Sequence, residues 1–325
     1  MSEQLNKANS LPEVSSKSGT LAAGPTVQSR PSSAATLSCP GCGCQTKSST
    51  SRFPMESVRG TSEFLRCDAC HAYFSGDEYH AEVEEQHTRQ MAWGEEDRGT
   101  QLNQFKQKMY HSILDGIERE GFAGSSLLDV GCSFGGFLTE ADKRGFQVSG
   151  ADIVADAVDY CRRQGHRAQQ CASLEDCSLF SETAPADVVT VLDAHIYWPD
   201  QPRELRAAWR MLKDDGLLVI RAIAKSPFIT AGRVMQSVAP GFGKNLIRRA
   251  ITDHRFSQPL PGLLKTIEAA GFDVTLATPK GAVHSDESGL GVRMAFAVGA
   301  VTWHSFGIPL APGALIFARK RSESA

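Results

Sequence analysis

The stretch LLDVGCSFGGFL, Leu127 to Leu138, decides how the rest of the chain is read. An apolar strand runs into Asp129, glycines follow at 131, 135 and 136, and an apolar helix begins at once. Such a turn points backbone N–H groups and a helix N-terminus beyond the carboxyl edge of a sheet. A dinucleotide fingerprint needs a glycine between the first and last of the turn, where the backbone approaches the pyrophosphate. Aligned on Gly131 and Gly136, that position is Ser133. A P-loop needs Gly-Lys-Ser/Thr, and GGFLTE has no lysine. Asp129 would repel phosphate and suits a cation. The turn is therefore expected to hold a ligand without a pyrophosphate and with positive charge.

Working outward, apolar strands are predicted at 126–130, 146–151, 187–192 and 216–223, with a weaker one at 166–171. Helices at 134–144, 154–164 and 202–212 fall between most of them, which predicts a parallel sheet covered on both faces. LPGLLKTIEAAGF gives a further helix ended by Gly271, and strands follow near 272–277 and 314–320. The run 294–317 carries no charge except His304, but its glycines and prolines break it. It reads as a buried helix, a loop and the last core strand rather than a membrane span.

LLDVGCSFGGFL followed by VSGADI (148–153) resembles the first two motifs of class I S-adenosylmethionine-dependent methyltransferases. ADVVTVLDAHIYWPD (186–200) and AAWRMLKDDGLLVIRAI (207–223) match the later motifs in order and spacing, so the resemblance covers roughly 126–278. It implies an α/β fold with a Rossmann-like doubly wound sheet, seven-stranded and mostly parallel with the last strand antiparallel, over 123–325. It also implies S-adenosylmethionine as cofactor. Gly131 and Gly135, with Ser133 between them, would let the backbone approach the methionyl and ribose parts. Asp129 would lie near the methionyl amino group, and Ser173 and Leu174 near the adenine. Asp152 ends the second strand 23 residues after Asp129, beside Ile153, where a carboxylate can accept both ribose hydroxyls. Its bland alternative is a helix N-cap. Asp193, at the end of the fourth strand, completes the donor set. The loop CASLED (171–176) lacks the acidic residue that the family places directly after the third strand. Cys132 reads as a small buried filler.

The chain of 325 residues has 41% hydrophobic content and a net charge of −3, which gives no global attraction to nucleic acid. Residues 1–38 are rich in Ser, Ala and Thr and read as a disordered leader without a secretory signal. An odd count of nine cysteines suits a reducing compartment, and a cytoplasmic location is expected. Within 39–75, Cys39 and Cys42, then 24 residues, then Cys67 and Cys70 form two C-x2-C turns. That spacing predicts a zinc ribbon, with Cys44 and His71 as spare donors. Residues 39–98 hold six Lys/Arg against eleven Asp/Glu, which opposes contact with phosphate backbones. The ribbon thus reads as a metal-stapled structural module. A helical linker or cap is expected at 76–122, with Leu102, Phe105, Met109, Ile113 and Ile117 on one stripe. The order ribbon, linker, methyltransferase also resembles bacterial methyltransferases of polysaccharide and sugar biosynthesis.

In this fold the acceptor lies beyond the carboxyl ends of the fourth and fifth strands. DAHIYWPD supplies His195 there, the first candidate for a general base with an unperturbed pKa near 6.5. The alternative is a loop histidine packed against Trp198. DHRFSQPLPGLL (253–264) matches the family's His-x-x-Phe-Ser stretch and makes His254 a second candidate. Residues 221–255, mostly an insertion at about 224–258, carry seven Lys/Arg and one Asp. This reversal in an acidic chain points to an anionic acceptor, small or carrier-bound. The competing readings are an RNA methyltransferase that uses the ribbon for recognition, and a non-catalytic S-adenosylmethionine-binding protein. No transmembrane span is expected, and nucleic acid is not favoured as a partner.

Overall fold

The computed structural model describes residues 37–46, 52–57, 60–76, 96–251, 256–279, 294, 297–303, 311 and 313–322. The expected leader (1–36 of it), residues 77–95 of the linker and His254 lie outside the described residues.

The seven-stranded sheet of the class I fold is present. Its strands are β6 (Ser126–Val130), β7 (Gln147–Asp152), β8 (Arg167–Gln170), β9 (Ala186–Leu192), β10 (Leu212–Ile223), β12 (Phe272–Thr278) and β13 (Gly313–Lys320). They lie side by side in the order β12-β13-β10-β9-β6-β7-β8. β13 runs antiparallel to both β10 and β12, and the remaining pairs are parallel. The central strands are apolar along their length because both faces are covered. Leu127, Val188, Leu217 and Val219 face one core with α1 (Glu96–Arg119), while Leu128, Val189, Leu218 and Ile220 face the other with α4 (Gln201–Met211). The stripe on α1 is buried at Met109, Ile113 and Ile117, joined by Tyr110 and Leu114.

The order of strands reverses between β6 and β9. Their carboxyl ends open a crevice there, into which α2 (Gly136–Lys143) and α3 (Ala155–Arg163) present their N-termini. The N-cap of α3 is Val154, so Asp152 is not the cap that the bland reading of the sequence supposed. Its Oδ1 instead accepts the Val154 N–H in a turn that starts the helix.

The cysteine module has a hairpin of β1 (Leu37–Ser38) and β2 (Gln45–Thr46), and a sheet of β3 (Arg52–Ser57), β4 (Gly60–Arg66) and β5 (Tyr73–Ser75). That sheet is completed by β11 (Phe256–Ser257), which arrives from the far end of the insertion and pairs with β5. The insertion itself is a helical hairpin, α5 (Ser226–Met235) and α6 (Pro240–Ile251). Its Ile229, Ile247 and Ala250 pack on Phe64 and Tyr73 of the module. After β11, α7 (Leu260–Ala269) returns the chain to the main sheet.

The uncharged run 294–317 differs from expectation in its helical part. Trp303 packs against the core and Gly299 lies against Ala311, but Val298 and Val301 are exposed. The described helical residues 297–303 bury one face only, so the expected buried helix is half-covered there; the last core strand, β13, forms as read.

Candidate functional site

A cavity of about 330 Å³ sits at the crevice. Its floor is the turn after β6. Gly131 and Ser133 both adopt the left-handed conformation, with φ of 76° and 51°. Gly131 tolerates this without penalty. It also admits the turn after β9, because a Cβ on Gly131 would stand 2.5 Å from the Cβ of Ala194. The turns after β6 and β9 therefore touch through a missing methyl group. Gly135, also left-handed at φ 70°, serves differently. It caps α2, and its open face meets Cys161 Sγ rather than the cavity. Cys132 is the buried filler that the sequence predicts, packed with Leu138, Val158 and Cys161.

One wall holds Asp152 and Ile153 at the end of β7. The Asp152 carboxylate accepts Ser133 N–H at 2.8 Å through Oδ2 and Val154 N–H at 2.9 Å through Oδ1. The carboxylate thus ties two turns together at the cavity wall. Farther along are Ser173 and Leu174. Here the structure supplies a group that the sequence did not reveal. Glu204, fully buried on α4, reaches the cavity and accepts Ser173 Oγ–H and Leu174 N–H, each at 2.7 Å. The loop CASLED has no acid directly after the strand, and a carboxylate from another element stands against it. On an amphipathic helix Glu204 reads as a surface residue, so no local signal marks it.

The opposite end is polar and enclosed. Asp193, left-handed at φ 64°, follows β9 and ion-pairs with Arg221 of β10. Arg221 is buried, and a lone charge inside LLVIRAI was the sequence signal that a counter-charge must sit beside it. Lys106 of α1 lines the same end, its pKa lowered chiefly by burial and held up by the charges of Asp193 and Asp129. The sequence placed the linker helix over the core but gave no sign that its lysine enters the site.

Asp129 lies beneath this floor rather than in the lining. It is buried, accepts Thr190 Oγ1–H at 2.6 Å, and burial pushes its pKa up to about 7. A cation near it would offset that desolvation. His195 belongs to the single-turn helix His195–Tyr197 that forms the wall, yet its imidazole is 1% exposed and is not among the lining side chains. Its Nδ1 has no hydrogen-bond partner, and burial lowers its pKa to about 4, well below the ordinary value the sequence reading assumed.

The four cysteines converge. Their Sγ atoms all lie within 4.8 Å of one another, with Cys39–Cys70 at 3.6 Å and Cys42–Cys67 at 3.7 Å. Four thiolates about 2.3 Å from a zinc ion would be separated by roughly 3.8 Å, so the donor set fits that ion. Cys39 is pushed up by its hydrogen bond to Cys70 and by burial, whereas the same bond lowers Cys70 to about 5. Cys44 is exposed and His71 turns to Arg66 at 2.9 Å, which leaves both outside the cluster.

The cluster backs the cavity. Pro40 O accepts Gln201 N–H at 2.8 Å, and Gly41 O accepts Thr266 Oγ1–H at 2.9 Å. Cys39, Cys67 and Cys70 share a buried cluster with Ile196 and Phe256, flanked by Tyr197 and Ile223. Ile196, Tyr197 and Ile223 are themselves cavity wall.

A family model described as a methyltransferase domain matches residues 105–277, more than half of the chain. The chain belongs to the class I S-adenosylmethionine-dependent methyltransferases. A ubiquinone biosynthesis O-methyltransferase from Xanthomonas oryzae pv. oryzae is 32% identical over 132 residues, covering 37% of this chain and 54% of that one. Its counterpart from Pseudomonas savastanoi pv. phaseolicola is 34% identical over 117 residues, 34% of this chain and 49% of that one. The chain thus spans about half the length of the curated relatives it matches. A TehB-like S-adenosylmethionine-dependent methyltransferase from Corynebacterium glutamicum is similar in structure, with 15% identity, a TM-score of 0.42, and coverage of 75% of this chain and 98% of that one. Among the described residues, no helix of this methyltransferase is long and apolar enough to cross a membrane.

Proposed function

We propose that this methyltransferase transfers a methyl group from S-adenosylmethionine to a small or carrier-bound, anionic acceptor such as a sugar or another biosynthetic metabolite. The observation that carries the reading is the polarity of the cavity. One end offers Asp152, Ser173 and Glu204, acceptors suited to ribose hydroxyls and an amino-bearing base. The other end places Lys106 beside the Asp193–Arg221 pair, where an anionic acceptor finds a cation that burial has left weakly solvated. The relatives' O-methyl chemistry supports a hydroxyl as the receiving atom.

When bound, the sulfonium donor supplies an already activated methyl group. The chain's own residues then align and exclude water. Gly131 sets the depth of the turn, Asp152 fixes the nucleoside side, and Asp129 faces the cationic end from below. Ile196, Tyr197 and Ile223 close the acceptor side, held from behind by a proposed zinc ion on Cys39, Cys42, Cys67 and Cys70. Catalysis by alignment contributes most of what such a step needs when the acceptor atom is nucleophilic. A second reading makes His195 the general base. It is favoured by an unpartnered Nδ1 on an imidazole that stays neutral at pH 7.

The test is transfer of labelled methyl from S-adenosylmethionine to three pools, namely nucleotide sugars, hydroxylated aromatic acids and RNA. Product in either small-molecule pool is expected. Label only in RNA would favour the ribbon as a recognition module, and donor binding without any product would mark a non-catalytic binding protein.

A further inference from the structure

We propose that the α5–α6 hairpin is a docking surface for an anionic lipid bilayer. The hairpin has two unlike faces. Its inner face, Ile229, Ile247 and Ala250, is buried against Phe64 and Tyr73, and Tyr73 Oη hydrogen-bonds Thr230 Oγ1 at 3.0 Å. The outer face leaves Val234, Val238 and Phe242 exposed by 67%, 83% and 59%. They follow one another at intervals of four residues around the helix–helix turn, so three large apolar side chains crowd the tip. Soluble surfaces carry single exposed apolar residues routinely, but a cluster on a protruding hairpin marks an interaction site.

Charge selects the partner. From Ala224 to Ile251 the sequence contains no Asp or Glu and five Lys/Arg, in a chain whose net charge is −3. Lys244 and Arg248, one turn apart on α6, are exposed on the same helix as Phe242. Apolar side chains at the tip with basic side chains around them are what an interfacial helix presents to lipid headgroups and acyl chains. RNA would satisfy the charges but leave two valines and a phenylalanine in water. A second copy meeting the same patch would bring like charges together. A bilayer with anionic headgroups satisfies both features.

Placement gives the surface a use. α5 begins three residues after Ile223, which lines the cavity. A bilayer beneath the hairpin would hold the acceptor side near the membrane plane, where an acceptor carried on a lipid or an apolar tail resides.

The experiment is flotation of the full chain with vesicles of phosphatidylcholine alone or mixed equally with phosphatidylglycerol. Co-flotation is expected with the mixed vesicles only, and it should weaken with salt. Each basic side chain near an anionic surface contributes about fivefold in partitioning, so Lys244→Glu with Arg248→Glu should reduce binding at least about 25-fold. Val238→Asp with Phe242→Asp should abolish it. Both pairs are solvent-exposed, and affinity for S-adenosylhomocysteine, measured separately, should stay unchanged in each. Failure of the wild-type chain to float would overturn the proposal, as would equal flotation of the variants. RNA binding lost only in the charge variant, or a dimer dissolved only by the apolar variant, would also overturn it by naming a different occupant.

Discussion

Gly131→Ala tests the contact on which the geometry of the site depends. The new Cβ would stand 2.5 Å from the Ala194 Cβ, more than 1 Å inside the roughly 3.5–4.0 Å at which carbons rest. Relieving that overlap should cost about 1–3 kcal/mol. The φ of 76° adds about 1–2 kcal/mol for any residue with a Cβ. The single variant should therefore lose about 2–5 kcal/mol. Ala194→Gly alone removes one methyl at a φ of −87°, and the extra freedom of glycine costs about 0.5–1 kcal/mol. In the double variant the overlap vanishes while the φ penalty remains. The pair should then be more stable than the sum of the singles by about 1–3 kcal/mol, the overlap cost alone. Urea denaturation of all four proteins measures this, provided the slopes agree. Affinity for S-adenosylhomocysteine should fall in Gly131→Ala and recover in the double variant. Additivity within about 0.5 kcal/mol would show that the two loops do not touch as described.

Two further perturbations address the remaining groups. His195 is neutral in the fold down to about pH 4, whereas in the unfolded chain it takes its proton near 6.5. The unfolded state therefore gains protons first as pH falls, and stability should drop by up to ~3 kcal/mol between pH 6.5 and 4. His195→Leu should flatten that slope in urea midpoints measured against pH; parallel curves would contradict the burial. If His195 is also the base, the acid limb of the rate should lie near pH 4, and His195→Ala should lower turnover about 10²–10⁴-fold with donor affinity kept. Cys67→Ser should lose the metal and, through Ile196 and Tyr197, lower turnover more than donor affinity. Metal content by mass spectrometry and calorimetry with S-adenosylhomocysteine read the two effects, and equal loss of both would place the ribbon in the donor site as well.

The sheet was legible because buried parallel strands need unbroken apolar runs, and VVTVL and LLVI have no other use. The turn at Gly131 was legible because a strand, a glycine turn and a helix leave few alternatives. Contacts made between distant elements were not. Glu204 meets Leu174 across 30 residues of sequence, and Lys106 enters from a helix whose adjacent Gln107 and Lys108 face water. Periodicity describes which face of an element is apolar, not which polar residue at its margin finds a cavity. The ribbon's spacing foretold that its four cysteines converge, but its last strand, Phe256–Ser257, arrives from nearly two hundred residues away. Two residues carry no strand signature, so the union of ribbon and cavity wall had to be seen in the fold. His195 was singled out by its position after the fourth strand, and its burial was invisible because sequence gives no depth.

The central claim is that the cavity holds S-adenosylmethionine with its ribose on Asp152. Calorimetric titration of the wild-type chain and Asp152→Ala with S-adenosylhomocysteine tests it most directly. Two hydrogen bonds to a charged acceptor contribute roughly 1.5–3 kcal/mol each, so the variant should bind about 10²–10⁴-fold more weakly while the wild type binds one equivalent. Asp152 also secures Ser133 N–H and Val154 N–H, so a modest loss of folding stability should accompany this. Equal affinity in the two proteins, or no binding to the wild type, would contradict the account.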